Sequence, residues 1–182
     1  MNPFKSLSQF FARLFLTTKP PMSDTSDLPI LRGDGTWPWH AYIDGNDIIV
    51  LGARATCFGG ANDPQDSGET ASGLSTKLNP RIVGCALPMN YSGRNPGLRK
   101  ALAGSPIPKM PYKGSVVVTS GGKSLTMPCI DLGPAKRTGN AIDLTIQAAR
   151  HFKAGASATN FAMTCDFRIL GAAKHARKGS IV

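Results

Sequence analysis

The sequence predicts a mainly β fold of about six or seven short strands with two small helices, arranged as a barrel or a sandwich. Short apolar runs rich in Val and Ile are bounded by Gly, Asp, Asn and Pro, which is typical of strands separated by turns. Two pairs of these runs flank glycine-containing turns of the hairpin type. Of the 182 residues, 41% are hydrophobic, which suffices for the core of one domain.

The first strands are predicted on either side of a hairpin turn. Residues 41–43 and 48–51 flank the segment Asp-Gly-Asn-Asp at 44–47, whose residues favour a tight turn. Residues 53–58 follow as another strand, and residues 81–88 form a short buried strand that ends at a proline.

The second hairpin and the last strand lie in the second half of the chain. Residues 115–119 and 124–127 flank Gly121 and Gly122, and the second of these strands continues toward residue 131. Residues 160–170 supply a final strand.

Two short helices complete the predicted elements. Residues 97–104 have helical spacing and end at Gly104, a residue that readily closes a helix. Thr145 can cap a second helix from residue 146 to about residue 152, with Gly155 as its stop.

Turn-forming and charged stretches divide the chain into three predicted parts. Residues 1–36 form an amphipathic segment and linker, residues 37–172 form the barrel domain, and residues 173–182 form a basic tail. Inside the domain, residues 59–80 are rich in turn formers, and a loop of that length is more often functional than idle.

The N-terminal segment has the pattern of an amphipathic helix. Phe11, Leu14 and Phe15 lie at positions i, i+3 and i+4, so residues 5–16 could contact a membrane or a protein partner. Arg13 interrupts the apolar cluster, which makes the segment a poor signal peptide.

The charge balance favours anionic partners. Lys and Arg exceed Asp and Glu by 21 to 11, so the formal net charge of +10 suits nucleic acid, anionic lipid or an acidic cell-wall polymer. No nucleic-acid motif is present in the sequence, and no nucleic-acid partner is predicted.

No metal or cofactor is predicted. Cys57, Cys85, Cys129 and Cys165 form no C-x-x-C pair and have no histidine at ligand spacing. They either pair as one or two disulfides or remain buried thiols. The glycine-rich stretch at 59–74 lacks the strand, lysine and helix context of a phosphate loop.

The candidate site rests on two carboxylates twelve residues apart. Asp131 lies between Ile130 and Leu132, and Asp143 interrupts a second apolar run in the same way. Because successive side chains of a strand point to opposite faces, each acid can face away from a core that its neighbours fill. Both acids could therefore line one groove, although each could also be an ordinary turn or capping residue.

Three segments in this order resemble the six-stranded double-psi β-barrel domain of bacterial expansins. They are residues 55–60 (Ala-Thr-Cys-Phe-Gly-Gly), 130–134 (Ile-Asp-Leu-Gly-Pro) and 141–145 (Ala-Ile-Asp-Leu-Thr). The resemblance covers roughly residues 53–152. Related barrels occur in rare-lipoprotein-A-like proteins, MltA-like lytic transglycosylases and expansin-related endoglucanases, which act on β-1,4-linked cell-wall glycans. The resemblance implies a six-stranded double-psi β-barrel with short helices, here preceded by an N-terminal arm.

The resemblance also implies the roles of three residues. In expansins, the threonine of the first motif and the aspartates of the second and third line the polysaccharide groove, which corresponds to Thr56, Asp131 and Asp143. The hydrolytic and lytic relatives use the last acid as proton donor, so Asp143 is the predicted general acid and base, with Asp131 and Thr56 assisting. Apolar neighbours or a like charge can keep such an acid protonated near neutral pH.

Aromatic side chains are the predicted contacts to sugar rings. Cys57 replaces the Tyr or Trp that relatives usually carry, and Phe58 is the substitute beside it. Trp37, Trp39 and Tyr42 could form a stacking platform, and the alternative for them is a hydrophobic plug over one end of the barrel.

These observations lead to one functional hypothesis and two alternatives. The protein is predicted to bind and cleave a cell-wall glycan, peptidoglycan before cellulose, as a lytic transglycosylase or hydrolase that needs no cofactor. The alternatives are a non-catalytic wall-binding or wall-loosening module, and a structural component of a phage or secretion assembly. The resemblance implies an extracellular or wall-associated location, with an export route that the sequence leaves open.

Overall fold

The structure is a computed structural model that describes residues 25–60, 63, 67–176 and 181. The predicted amphipathic segment at residues 5–16 lies outside the described residues, as do residues 177–180 and 182 of the predicted tail. In the described part the elements follow in the order β1 (Ile30–Leu31), β2 (Ala41–Asp44), β3 (Asp47–Phe58), β4 (Cys85–Leu87), α1 (Pro96–Leu102), β5 (Ser115–Ser120), β6 (Lys123–Leu132), β7 (Ile142–Thr145), α2 (Ile146–Phe152) and β8 (Ala162–Ile169).

Six of the described strands close into a barrel in the order β3-β7-β4-β6-β5-β8 and back to β3. Closure comes from β8, which pairs antiparallel with both β5 and β3. The pairs β3–β7 and β4–β6 are parallel, and the other pairs in the ring are antiparallel. This closed mixed barrel confirms the predicted fold class, and its two parallel pairs are compatible with a double-psi topology.

Both predicted hairpins are present. The strands β2 and β3 pair up to Asp44 opposite Asp47, and β5 and β6 pair up to Ser120 opposite Lys123. Gly121 and Gly122 both adopt positive φ, 54° and 75°, as the two central residues of a type I′ turn require. The local sequence therefore determines the register of this hairpin.

One strand boundary differs from the prediction. Residues 48–51 and 53–58 belong to a single strand, β3, whose register against β8 shifts between Val50 and Ala53. Gly52 lies in this bulge with φ of 59°, and its N–H donates to Asp166 Oδ1 at 2.8 Å. A bulge bends a strand without ending it, so the glycine marks a bend of the barrel wall.

Both predicted helices are present, and each has a side-chain cap at its start. In α1, Asn95 Oδ1 accepts the N–H groups of Gly97 and Leu98. In α2, the Thr145 hydroxyl accepts the N–H of Ala148 at 3.3 Å, and it also donates to the Ile82 carbonyl at 2.8 Å. The latter bond ties the start of α2 to the segment before β4.

Apolar side chains of the strands fill the barrel. Ile130, Ile142 and Leu144, which flank the two acids in sequence, are fully buried. All four cysteines lie within the described residues and are buried thiols rather than disulfides. Burial raises the pKa of Cys165 to about 12, as expected for a thiol that serves as a small apolar group.

Candidate functional site

Four neighbouring strands bring the predicted polar residues into one row across the barrel wall. Thr56 on β3 is the register partner of Asp143 on β7, and Ala86 on β4 is the partner of both Asp143 and Asp131 on β6. Adjacent strands are about 4.8 Å apart, so two spacings put the Cα atoms of the two acids about 10 Å apart. The small side chain of Ala86 leaves room between them.

A short hydrogen-bond chain surrounds Asp143. The Thr56 hydroxyl donates to Asp143 Oδ1, and the Asn140 side-chain amide donates to Thr56 Oγ1 at 2.9 Å. Because a hydroxyl carries one proton, the bond from Asn140 leaves that proton available for the carboxylate.

The surroundings of Asp143 favour its protonated form. Burial raises the pKa of its carboxyl, the hydrogen bond from Thr56 lowers it, and the negative charges of Asp63 and Asp131 raise it again. The net direction is upward, which is the direction that a general acid near neutral pH requires.

Asp131 also binds the long loop that follows β3 through hydrogen bonds. Its Oδ1 accepts the N–H of Ala71 at 2.9 Å and that of Leu132 at 2.8 Å. Ser72 N–H donates to the Ile130 carbonyl at 3.0 Å, so the loop is attached to β6 at two points. One oxygen of Asp131 is therefore oriented by the backbone.

The row of polar residues lies in a cleft of about 440 Å³. The cleft is lined by residues of β3, β4, β6 and β7 and of the loops beside them: Thr56, Cys57, Phe58, Asp63, Ala86, Asp131, Leu132, Thr138, Asn140, Asp143, Ala158 and Thr159. Carboxyl, hydroxyl and amide groups therefore face the same space.

The predicted aromatic contacts are placed differently from one another. Phe58 lines the cleft and is half-buried. Trp37 and Trp39 belong to the core and are only 6% and 8% exposed. Their rings pack against each other, with 5.2 Å between the ring centroids. Tyr42 lies on β2 opposite Ile49, away from the cleft. The structure thus brings Phe58 to the acids and does not bring the other three aromatic residues there.

The indole N–H groups of both buried tryptophans have hydrogen-bond partners in the fold. Trp37 Nε1 donates to the Ala103 carbonyl at 3.4 Å, and Trp39 Nε1 donates to the Asn140 carbonyl at 3.2 Å. Each indole satisfies its polar group inside the protein, so both tryptophans are core residues rather than cleft residues.

Among the cleft residues that the sequence did not indicate, two interact with Asp143 or with Thr56. Asn140 directly precedes the third motif, and Asp63 lies in the glycine-rich loop, where its Oδ2 accepts the Gly59 N–H at 3.1 Å. Neither residue lies at a sequence spacing that indicates a site. Folding of the strands and loops brings Asn140 to Thr56 and Asp63 near Asp143.

The described residues contain no cluster of three or more His, Cys, Asp or Glu side chains with the geometry of a metal site. Among these same residues, no helix has the length and apolar character needed to cross a membrane.

Comparison with known proteins finds similarity to solved structures. No protein-family model matches the chain, and no curated protein matches it significantly. A solved structure of a Streptomyces papain inhibitor matches over 69% of this chain and 96% of its own, at 18% sequence identity and a TM-score of 0.38. A similarity at that TM-score does not identify a shared activity.

Proposed function

We propose that this protein binds a β-1,4-linked cell-wall glycan, peptidoglycan before cellulose, and cleaves it by general acid and base catalysis through Asp143. The observation that carries the proposal is a carboxyl group with a raised pKa at a polar cleft, hydrogen-bonded to Thr56 and facing a second carboxylate across Ala86. We also propose, from the ordered motifs and the barrel, that the chain is a distant relative of the expansin and rare-lipoprotein-A-like proteins.

The proposed chemistry begins with proton donation by Asp143. A glycosidic oxygen is a poor leaving group until it is protonated, so the acid must hold a proton at the pH of the reaction. After the bond breaks, the same carboxylate can take a proton from the attacking hydroxyl group. Thr56 holds the carboxyl in place, and no histidine lines the described cleft to make this threonine a nucleophile.

The hydrogen bonds of Asp131 favour lytic transglycosylation over hydrolysis. An inverting hydrolase needs a second carboxylate about 6.5–9.5 Å away that is able to activate water. The Cα atoms of Asp131 and Asp143 lie two strand spacings, about 10 Å, apart, so separation alone does not exclude this role. Its Oδ1 is engaged by Ala71 and Leu132. A lytic transglycosylase needs only one acid and base, because the 6-hydroxyl of the sugar itself attacks the anomeric carbon.

The charge of the chain supports an anionic polymer as partner. A net charge of +10 attracts the negatively charged wall, and it would hold the protein there while the neutral glycan strand enters the cleft. An extracellular or wall-associated location is part of the same proposal.

The test is incubation of the purified protein with peptidoglycan sacculi, followed by mass spectrometry of the soluble products. The wild type should release anhydromuropeptides, and Asp143→Asn should release at least about 100-fold less, since a general acid contributes a factor of about 10² to 10⁴. The exposed Asp27, outside the cleft, provides the matched control Asp27→Asn, which should behave like the wild type.

Two results would change the assignment. Reducing muropeptides in place of anhydromuropeptides would identify a hydrolase and assign to Asp131 the role of the base that activates water. Retention on sacculi without any released product, from wild type and Asp143→Asn alike, would identify a non-catalytic wall-binding module.

A further inference from the structure

Asn140 combines near-complete burial with a position at the cleft. Its side chain lines the cleft, and the residue is only 8% exposed. The backbone around it is held independently of the side chain, because the Asn140 carbonyl accepts from Trp39 and its N–H donates to Thr138 Oγ1 at 3.3 Å. The side-chain amide is therefore not needed to hold the segment.

In the side-chain amide of Asn140, the nitrogen is hydrogen-bonded to a described residue and the oxygen to none. Its Nδ2 donates to Thr56, but no described residue donates a hydrogen bond to its Oδ1, which is buried. A buried acceptor without a donor lowers stability, and an apolar side chain of similar size would avoid this penalty. Stability alone does not account for an asparagine at this position.

The amide determines the direction of the next hydrogen bond. Nδ2 can only donate, so Thr56 Oγ1 must accept from it and has its single proton left for Asp143 Oδ1. In a protonated carboxyl group, the oxygen that accepts a hydrogen bond from a hydroxyl is the carbonyl oxygen. Oδ1 of Asp143, which accepts from Thr56, is therefore the oxygen without the acid proton. The proton of a protonated Asp143 then resides on Oδ2.

We propose that Asn140 is a positioning residue that acts through Thr56, fixing the direction of the hydrogen bond to Asp143 Oδ1 so that the acid proton is held on Oδ2. The inference rests on the proposed function, in which Asp143 donates that proton to the glycan. Without Asn140, the Thr56 hydroxyl can turn and accept from Asp143 Oδ1, which places the proton on the wrong oxygen.

Other groups near Asp143 also influence its titration and must be held constant. They are the carboxylates of Asp131 on β6 and Asp63 in the loop after β3, and the thiol of Cys57 on β3. Burial raises the pKa of Cys57 to about 11, so this thiol stays neutral while the carboxyls titrate.

The experiment is a double-mutant cycle on the titration of the Asp143 carboxyl, followed by carbon-13 NMR and assigned by the signal that Asp143→Asn removes. Asn140→Leu should raise the titration midpoint, because Thr56 then donates more weakly to the carboxylate. In the Thr56→Val background, the same substitution should leave the midpoint unchanged. Thr159→Val, which also alters the cleft lining, is the control and should leave it unchanged in both backgrounds.

Each outcome decides the proposal. A midpoint that rises only when Thr56 is present supports action through Thr56, whereas an unchanged midpoint, or an equal rise in both backgrounds, overturns it. If Asn140→Leu does not fold, Asn140→Ala provides the same test, since it also lacks the donor. The titration requires no enzymatic activity, so failure of the proposed function would leave this result interpretable.

Discussion

Replacing Thr56 with valine removes the central hydroxyl of the chain from Asn140 to Asp143 while keeping a side chain of nearly the same shape. The substitution abolishes one hydrogen bond between neutral groups and one to a carboxyl group. The first contributes about 0.5–1.5 kcal/mol and the second about 1.5–3 kcal/mol when the carboxyl is ionised. Thr56→Val should therefore lower the free energy of unfolding by about 2–4.5 kcal/mol at pH values above the pKa of Asp143.

The loss should depend on pH in a defined direction. The pKa of Asp143 in the folded protein is raised, so ionising this group costs stability as the pH rises through that pKa. The Thr56 bond offsets part of the cost. Below the pKa the lost bond is one to a neutral group, and the difference between wild type and Thr56→Val should be about 1–2 kcal/mol smaller there.

Urea unfolding between pH 3.5 and 7.5 measures this difference, and Thr56→Ser is the control because it keeps the hydroxyl. The serine variant should follow the pH dependence of the wild type. A loss in Thr56→Val that is the same at all pH values, or a loss in Thr56→Ser as large as in Thr56→Val, would refute the role assigned to the hydroxyl.

Three further predictions concern the core, an ion pair and the thiols. Leu144→Ala should lower the free energy of unfolding by about 2–5 kcal/mol in urea titrations, because the side chain is fully buried; a loss below 1 kcal/mol would contradict its place in the core. Lys136 contacts Asp34 at 2.7 Å and is the main cause that lowers the pKa of Asp34 to about 2. Lys136→Met should lower the free energy of unfolding by at most about 1 kcal/mol at pH 7, since the ion pair is partly exposed. This loss should disappear as the pH falls through about 2, where Asp34 becomes protonated in the folded protein. A loss that stays constant with pH would indicate lost packing instead. Cys57 and Cys165 should resist alkylation at pH 8 in the folded protein and react fully in urea, as followed by mass spectrometry, because burial raises the pKa of both thiols; rapid labelling of the folded protein would disprove their burial.

Local sequence determined the elements whose cause is local. Gly121 and Gly122 adopt the positive φ that their turn requires, and Thr145 caps the helix that follows it. These features depend on neighbours along the chain, so residue type and spacing suffice to predict them. The alternation of apolar and polar residues likewise predicted a mainly β fold, because strand faces follow the chain with a period of two.

At Gly52, the local sequence pattern did not predict the strand boundary correctly. The glycine interrupts the apolar pattern and therefore separates two predicted strands, but in the barrel its N–H has a partner, Asp166, more than a hundred residues later. Pairing with β8 keeps one strand continuous through the bulge. Only a contact across the barrel could distinguish a bend from an end.

By itself the sequence determined the fold class, the turns, the cap of α2 and the two acids as candidates for a site. Tertiary structure alone decided that Thr56 donates directly to Asp143, that Asn140 completes their chain of hydrogen bonds, and that Trp37 and Trp39 are core residues rather than cleft residues. The physical reason is the range of the interactions. Parallel pairing of β3 with β7 joins positions 87 residues apart, and burial depends on what covers a side chain, which no local spacing records.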